Sequence, residues 1–436
     1  KDDIAEDIRH SGLDVMIGGG VRWFEDRSDG QNLSAQLRSD GYSVAKTRTG
    51  LRRIDGTKEK VLALLAEKDM PEAQSGDRAM TLEEMTDSAL QVLDNNNDDG
   101  FFLMVEGSWI DRESHALKGP SSLAEVVDFD NAVGRALEYA RNRDDTLVIV
   151  TADHETGGLA ILDSESSLPY RAALGGDSAA HALTDFASGF PGGPAFVDQP
   201  AGEGLAPDNT SLTTAYGHLS LASRNHFTGP SFLFRATHSA SMVPLFAEGP
   251  AAEFVSSVRD NADLGTLLKR IIAEDGSTAA APTVPVPETP DNVILIVSDG
   301  TGLPALTAGK YVDGTTTIID MPVTGLVATH AADALVSDAA AAATSLASGE
   351  SAEQGEMGQV AGNSVANFVE AAEASGLDTA LVTTATLNDP ALAGLLAHVD
   401  SAADAAEGIS QLELDLPSQD GSALLREHQR AITVLI

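Results

Sequence analysis

Residues 101–116, FFLMVEGSWIDRESHA, place Glu106, Asp111 and His115 directly after an apolar run at 101–104. Asp111 and His115 are four apart, the spacing that puts two side chains on one face of a helical turn. Carboxylates with imidazole suit Zn²⁺ or a Zn²⁺/Mg²⁺ pair. The plainer alternative is that Glu106 caps a helix, Asp111 pairs with Arg112 and His115 is a surface histidine. A second apolar run, 147–151, ends in TADHETGG (151–158), so Asp153 and His154 repeat the pairing at another strand end. Two such clusters weigh against the plainer alternative. Taken alone, His238, in ATHSA (236–240), reads as a capped or surface histidine.

These residues need a scaffold of strands. A helix over 2–12 ends at a glycine, and a strand over 14–17 runs into Gly18, Gly19 and Gly20. Helices are expected over 32–40 and 81–95, with a short apolar run at 61–65. A strand at 101–105, a helix at 123–143 and a strand at 147–151 form a βαβ succession, which predicts a parallel sheet. In α/β folds chemistry sits in the loops beyond strand ends. Residues 164–230 are loop-like and read as an insertion; His181, His218 and His226 within it read as surface histidines. A short run at 231–235, an apolar run at 242–246 and a helix at 263–274 close this part. Residues 275–290, rich in Ala, Thr and Pro, read as an extended linker. The pattern then restarts: strand 292–297, helix 338–347 with Asp338 at its N-cap, helix 365–374, strand 379–383, helices 391–398 and 424–429, and strand 432–436.

The chain carries 66 acidic against 27 basic residues, a formal net charge of −39. That sign argues against nucleic acid and against anionic membrane surfaces as electrostatic partners. No apolar run reaches the length of about 18 residues needed to span a bilayer. The acids are scattered and the apolar pattern is intact, which fits a halophile or high-salt setting. A phosphate site in such a field needs metal cations to reverse it locally. Cysteine is absent, so no disulfide frames the fold.

The stretches VEGSWIDRESHA (105–116), TADHETGG (151–158), ATHSASMVPLFAEGP (236–250) and NVILIVSDGTG (292–302) together resemble the alkaline phosphatase family over nearly the whole chain. The resemblance implies an α/β fold, a three-layer α/β/α sandwich around a large, mostly parallel sheet. In that family the NVILIVSDGTG strand comes first, whereas here it follows the family's C-terminal part. The reading is therefore 1–274 as the larger C-terminal part, 275–290 as linker and 291–436 as the N-terminal part packing with 1–274. Either a circular permutation or a window across two tandem copies gives that order. The helix-then-strand outline of 422–436 repeats that of 7–17, which favours duplication.

The resemblance assigns one Zn²⁺ to Asp111, His115 and His238 and a second to Asp299, Asp153 and His154, with Asp299 bridging to a Mg²⁺ also held by Glu106. It implies small phosphate monoesters as substrates, a homodimer, and a periplasmic or secreted location. Three positions depart from the family pattern. Ala339 stands where the serine nucleophile belongs, with Ser337 one residue early on the wrong side of Asp338. Ala391, beside Asp389, stands where a threonine hydroxyl would reach Mg²⁺, and Ala402 stands where an arginine would fork onto phosphate. Arg112 is the guanidinium that could partly replace it. The functional reading is a metal-dependent phosphate monoester hydrolase impaired by Ala339. The alternative is a catalytically inactive metal- and phosphate-binding protein or interaction surface. Phosphodiesterases, phosphoglycerate mutases and sulfatases share the metal or Asp/His pattern and form a third reading.

Overall fold

A computed structural model describes residues 2–163, 230–272 and 290–398, apart from 55–59, 96, 98, 117, 234–236 and 314–316. Ten strands form one sheet: β1 (Val15–Gly19), β2 (Ser43–Ala45), β3 (Val61–Leu64), β4 (Phe101–Gly107), β5 (Thr146–Ala152), β6 (Val243–Glu248), β7 (Ser257–Asp260), β8 (Asn292–Ser298), β9 (Val323–Ala328) and β10 (Asp378–Thr386). Their spatial order is β7-β9-β6-β5-β8-β4-β10-β1-β3-β2. All pairings are parallel except those of β6, which runs against both β5 and β9. β8 shows why the late segment belongs to the same sheet. All seven of its residues are buried, as a strand covered on both faces requires, and it lies between β4 and β5. Val297 sits opposite Glu106 on one side and Ser298 opposite Ala152 on the other. Each Val, Ile or Leu buried there contributes on the order of 1.5–3 kcal/mol.

Adjacent side chains on β4 show the three layers. Phe101 meets Tyr139 of the Gly119–Ala140 helix at 5.8 Å between ring centroids, while Phe102 meets Phe368 of the Phe368–Ala374 helix at 5.1 Å. Successive strand residues point to opposite faces, so helices cover both. On the first face Val15, Ile17, Leu103, Val105, Ile294 and Val382 form one core with Met85, Ala89, Val126 and Phe129. On the second lies the Ala339–Ser348 helix, begun by Asp338, whose side chain accepts from the Ala341 backbone at 2.8 Å. Such a cap is worth about 1 kcal/mol. The Pro390–Leu396 helix packs against it closely enough that a Cβ at Gly394 would stand 2.6 Å from the Ala340 carbonyl oxygen. Among the described residues no helix is long and apolar enough to cross a membrane.

Two apolar runs of the sequence are strands of the sheet, and one local expectation needs correction. The 61–65 run is a parallel strand of the sheet. The 242–246 run is the reversed strand β6. The helix expected from 365 starts at Phe368, because Asn367 and Glu370 form a capping box there and Asn363–Ser364 pairs with Gln359–Val360 in a small ribbon instead. The 164–229 part of the insertion with His181, His218 and His226, the linker, Ala402 and the 424–429 and 432–436 elements lie outside the described residues.

His398, just past the Pro390–Leu396 helix, has both ring nitrogens on acceptors. Nδ1 meets the Gly358 carbonyl at 2.7 Å and Nε2 meets Glu370 at 3.1 Å. Glu370 raises its pKa to about 9 against the opposing effect of burial, with help from the Gly358 carbonyl. A folded-state pKa above the unfolded 6.5 means that this stabilisation is complete below pH 6.5 and fades as pH rises through about 9. Thermal melts in EDTA should therefore show His398→Gln less stable than wild type at pH 6, with the gap closing towards pH 10. A gap independent of pH would refute the charged pair.

Candidate metal centre

β4, β5 and β8 run parallel and in register, so Gly107, Ala152 and Ser298 end side by side. Glu106 is the penultimate residue of β4, Asp111 and His115 lie on the Trp109–His115 helix that follows, Asp153 and His154 follow β5, and Asp299 follows β8. The backbone N–H of Asp299 donates to the Gly107 carbonyl at 3.2 Å. Gly300 has φ +87, and a Cβ there would lie 2.8 Å from the Asp111 Cα. The D-G pair after β8 thus lets the loop close over the helix that bears Asp111.

His238 arrives from a distant segment through a two-residue ribbon: His238–Ser239 pairs antiparallel with Glu155–Thr156, His238 facing Thr156. Buried Glu155 holds that ribbon. Its carboxylate accepts from the Ser239 hydroxyl and from the backbone of Gly158 and Leu159, at 3.1 and 3.2 Å for the last two. Behind the ring, His238 Nδ1 meets the Ser337 carbonyl at 2.8 Å, the outer-shell contact that orients a ligating imidazole.

The donor atoms converge on two clusters. In the first, His115 Nε2 lies 3.3 Å and His238 Nε2 3.6 Å from Asp111 Oδ1, and the two Nε2 atoms are 3.0 Å apart. In the second, His154 Nε2 lies 3.3 Å from Asp153 Oδ2 and 3.5 Å from Asp299 Oδ1. Ligand atoms about 2.0–2.1 Å from a tetrahedral Zn²⁺ are about 3.3 Å from one another, so these spacings suit the ion. Asp111, His154 and Asp299 also offer ligand atoms within 4.8 Å of one another, so Asp111 belongs to both clusters, which its assignment to one zinc does not anticipate. The His154 and His238 rings stack at 3.7 Å and 22°.

Among the buried atoms without a hydrogen-bond partner are His154 Nε2 and Asp299 Oδ1, both at this centre. A buried polar atom left unpaired costs about 1–3 kcal/mol, more when charged, and a cation between these two would satisfy both. The charges make the same demand. Burial, then Asp111, Asp153 and Glu106, pushes Asp299 well above the usual carboxylate range. Burial and then Asp111 lift Asp153 to about 7, and burial and then Asp389 lift Glu106 to about 8. Burial holds His154 well below the ordinary imidazole value, whereas for His238 the pull of Asp111 outweighs burial and gives about 9. Burial would also raise Asp111, but its contacts with His115 and His238 outweigh that and keep it ionised. The residues present fit metal cations.

Glu106, buried, accepts from the Thr383 hydroxyl at 2.5 Å; it caps no helix. Arg112 does not pair with Asp111. Its Nη1 and Nη2 each lie 2.5 Å from a carboxylate, those of Asp69 and Asp389, and its Nε donates to Ser108 at 3.3 Å. Three of its five N–H groups are thereby engaged, and the side chain ties the loops of Asp69 and Asp389 together. Asp69, Thr156, Thr383 and Asp389 are site residues that sequence reading does not assign. Thr156 stands inside the TADHETGG motif and Asp389 beside Ala391, while Asp69 and Thr383 carry no local signal.

Ala339 is the first residue of its helix, and the carbonyl of Ser337 just before it is the one that holds His238. The Ser337 hydroxyl is buried and donates to the Asp338 carbonyl at 2.9 Å, so it serves the turn. Ala391, 3% exposed, packs behind the Asp389 cap.

A model of the alkaline phosphatase family matches residues 1–273 and 290–417. Alkaline phosphatase 4 of Bacillus subtilis (strain 168) is 41% identical over 150 residues, 34% of this chain and 32% of that protein. Alkaline phosphatase 3 of the same strain is 31% identical over 265 residues, 58% of this chain and 56% of that protein. The solved alkaline phosphatase of the Antarctic bacterium TAB5 is 30% identical, with 58% of each chain covered and a TM-score of 0.40. The chain thus spans from about a third to somewhat over half the length of these relatives. With the family model matched over residues 1–273 and 290–417, the chain belongs to the alkaline phosphatase family.

Proposed function

We propose that this chain is a metal-dependent phosphate monoester hydrolase of the alkaline phosphatase type, impaired at the transfer step because Ala339 occupies the nucleophile position. Asp111, His115 and His238 would hold one Zn²⁺, Asp153, His154 and Asp299 the other, and Glu106 with Asp299 a Mg²⁺. Such ions supply Lewis-acid polarisation of a phosphoryl oxygen and a positive field in an acidic protein. The chain's own residues do the rest. Glu155 and Ser239 set the ribbon that carries His238, the Ser337 carbonyl orients its ring, and Arg112 draws the Asp69 and Asp389 loops together under the site. The observation that carries this reading is the pair of partnerless buried atoms, His154 Nε2 and Asp299 Oδ1, 3.5 Å apart.

Metal content by mass spectrometry, with p-nitrophenyl phosphate turnover at alkaline pH in Zn²⁺ and Mg²⁺, tests it. Two zinc and one magnesium per chain with turnover above the no-protein level is the expected result. Full metal loading and stoichiometric phosphate binding without turnover would instead establish a binding protein without catalysis, the second reading, which rests on Ala339. Failure to retain zinc removes both.

A further inference from the structure

Thr156 touches both clusters with one hydroxyl. Its Oγ1 donates to Asp111 Oδ1 and lies 3.2 Å from His154 Nδ1, and across the ribbon it faces His238. A threonine hydroxyl has a single proton. Asp111 is an acceptor only, so the proton goes to it, and the lone pairs of Oγ1 are left for His154. The 3.2 Å contact bonds only when His154 carries its proton on Nδ1. A neutral imidazole protonated there has a bare Nε2, and that is the atom left buried without a partner and turned towards Asp153 and Asp299.

We propose that Thr156 is a positioning residue for the whole centre: its hydroxyl fixes His154 as the Nδ1–H tautomer, turns Asp111 Oδ1 towards both clusters, and so couples the two candidate zinc sites. The proposal rests on the metal-centre reading, and its test separates the two. In the metal-free protein, long-range ¹H–¹⁵N spectra of the histidine rings report the tautomer without any metal. His154 should be protonated on Nδ1 in wild type and in Thr156→Ser, and should lose that fixed state in Thr156→Val. Competition with a chromophoric chelator should then show Thr156→Val binding both zinc equivalents about 10–100-fold more weakly, with Thr156→Ser within about threefold of wild type. Wild-type His154 protonated on Nε2, or Thr156→Val binding both equivalents as tightly as wild type, overturns the proposal. If wild type binds no zinc, the metal reading falls, while the spectra of wild type alone still decide the tautomer.

Discussion

Ala339→Ser should raise p-nitrophenyl phosphate turnover in Zn²⁺ and Mg²⁺ by about 10²–10³-fold over the chain as it stands. Position 339 opens the Ala339–Ser348 helix, and the turn before it is fixed from both sides: Asp338 caps the helix, and the Ser337 carbonyl is held by His238. A hydroxyl restored there stands at a helix N-terminus, where backbone N–H groups and the helix dipole favour a phosphoryl group. Ala340→Ser is the control, since residue 340 is one position on and only 5% exposed, and it should bring no gain. Equal rates for Ala339→Ser and Ala340→Ser, with metal retained in both, would reject phosphoryl transfer at this helix.

Asp299→Asn should act in opposite directions on the two forms of the protein. Without metal, residue 299 is a buried carboxyl whose pKa burial, Asp111, Asp153 and Glu106 push upward, so above the ordinary carboxylate range folding must either protonate it or bury its charge, a cost that asparagine does not carry. Melting in EDTA should therefore move upward. With metal, the same change deletes an anionic ligand, and zinc affinity should fall more than about 100-fold. Activity-bearing sites hold such unfavourable arrangements at a cost in stability. A variant with lower melting temperature in EDTA and undiminished zinc binding would show Asp299 to be structural.

The sequence made part of this centre legible because some signals are local. Glu106, Asp111 and His115, like Asp153 and His154, announce themselves at the ends of apolar strands, and Asp338 reads as a cap from its place before an alanine run. What stayed hidden depends on partners far along the chain. Arg112 is held by Asp69 and by Asp389, 43 and 277 positions away, and Thr383 reaches Glu106 across 277 positions. That Asp111 lies within ligand distance of both groups follows from the Gly300 turn closing on the helix that bears it, which no spacing encodes. The late start of the Phe368–Ala374 helix is readable, since Asn367 and Glu370 have the capping-box spacing, but Val365 and Ala366 carry the apolar pattern upstream of the cap.

The seat of β8 between β4 and β5 makes completion of the sheet wait for a strand written late in the chain. β4 and β5 pair with each other only through β8, so until residues 292–298 are available each lacks its neighbour on that side, and unpaired edges invite association with other chains. Closure then demands contacts separated by nearly two hundred residues, so refolding from denaturant should be slow and strongly dependent on protein concentration.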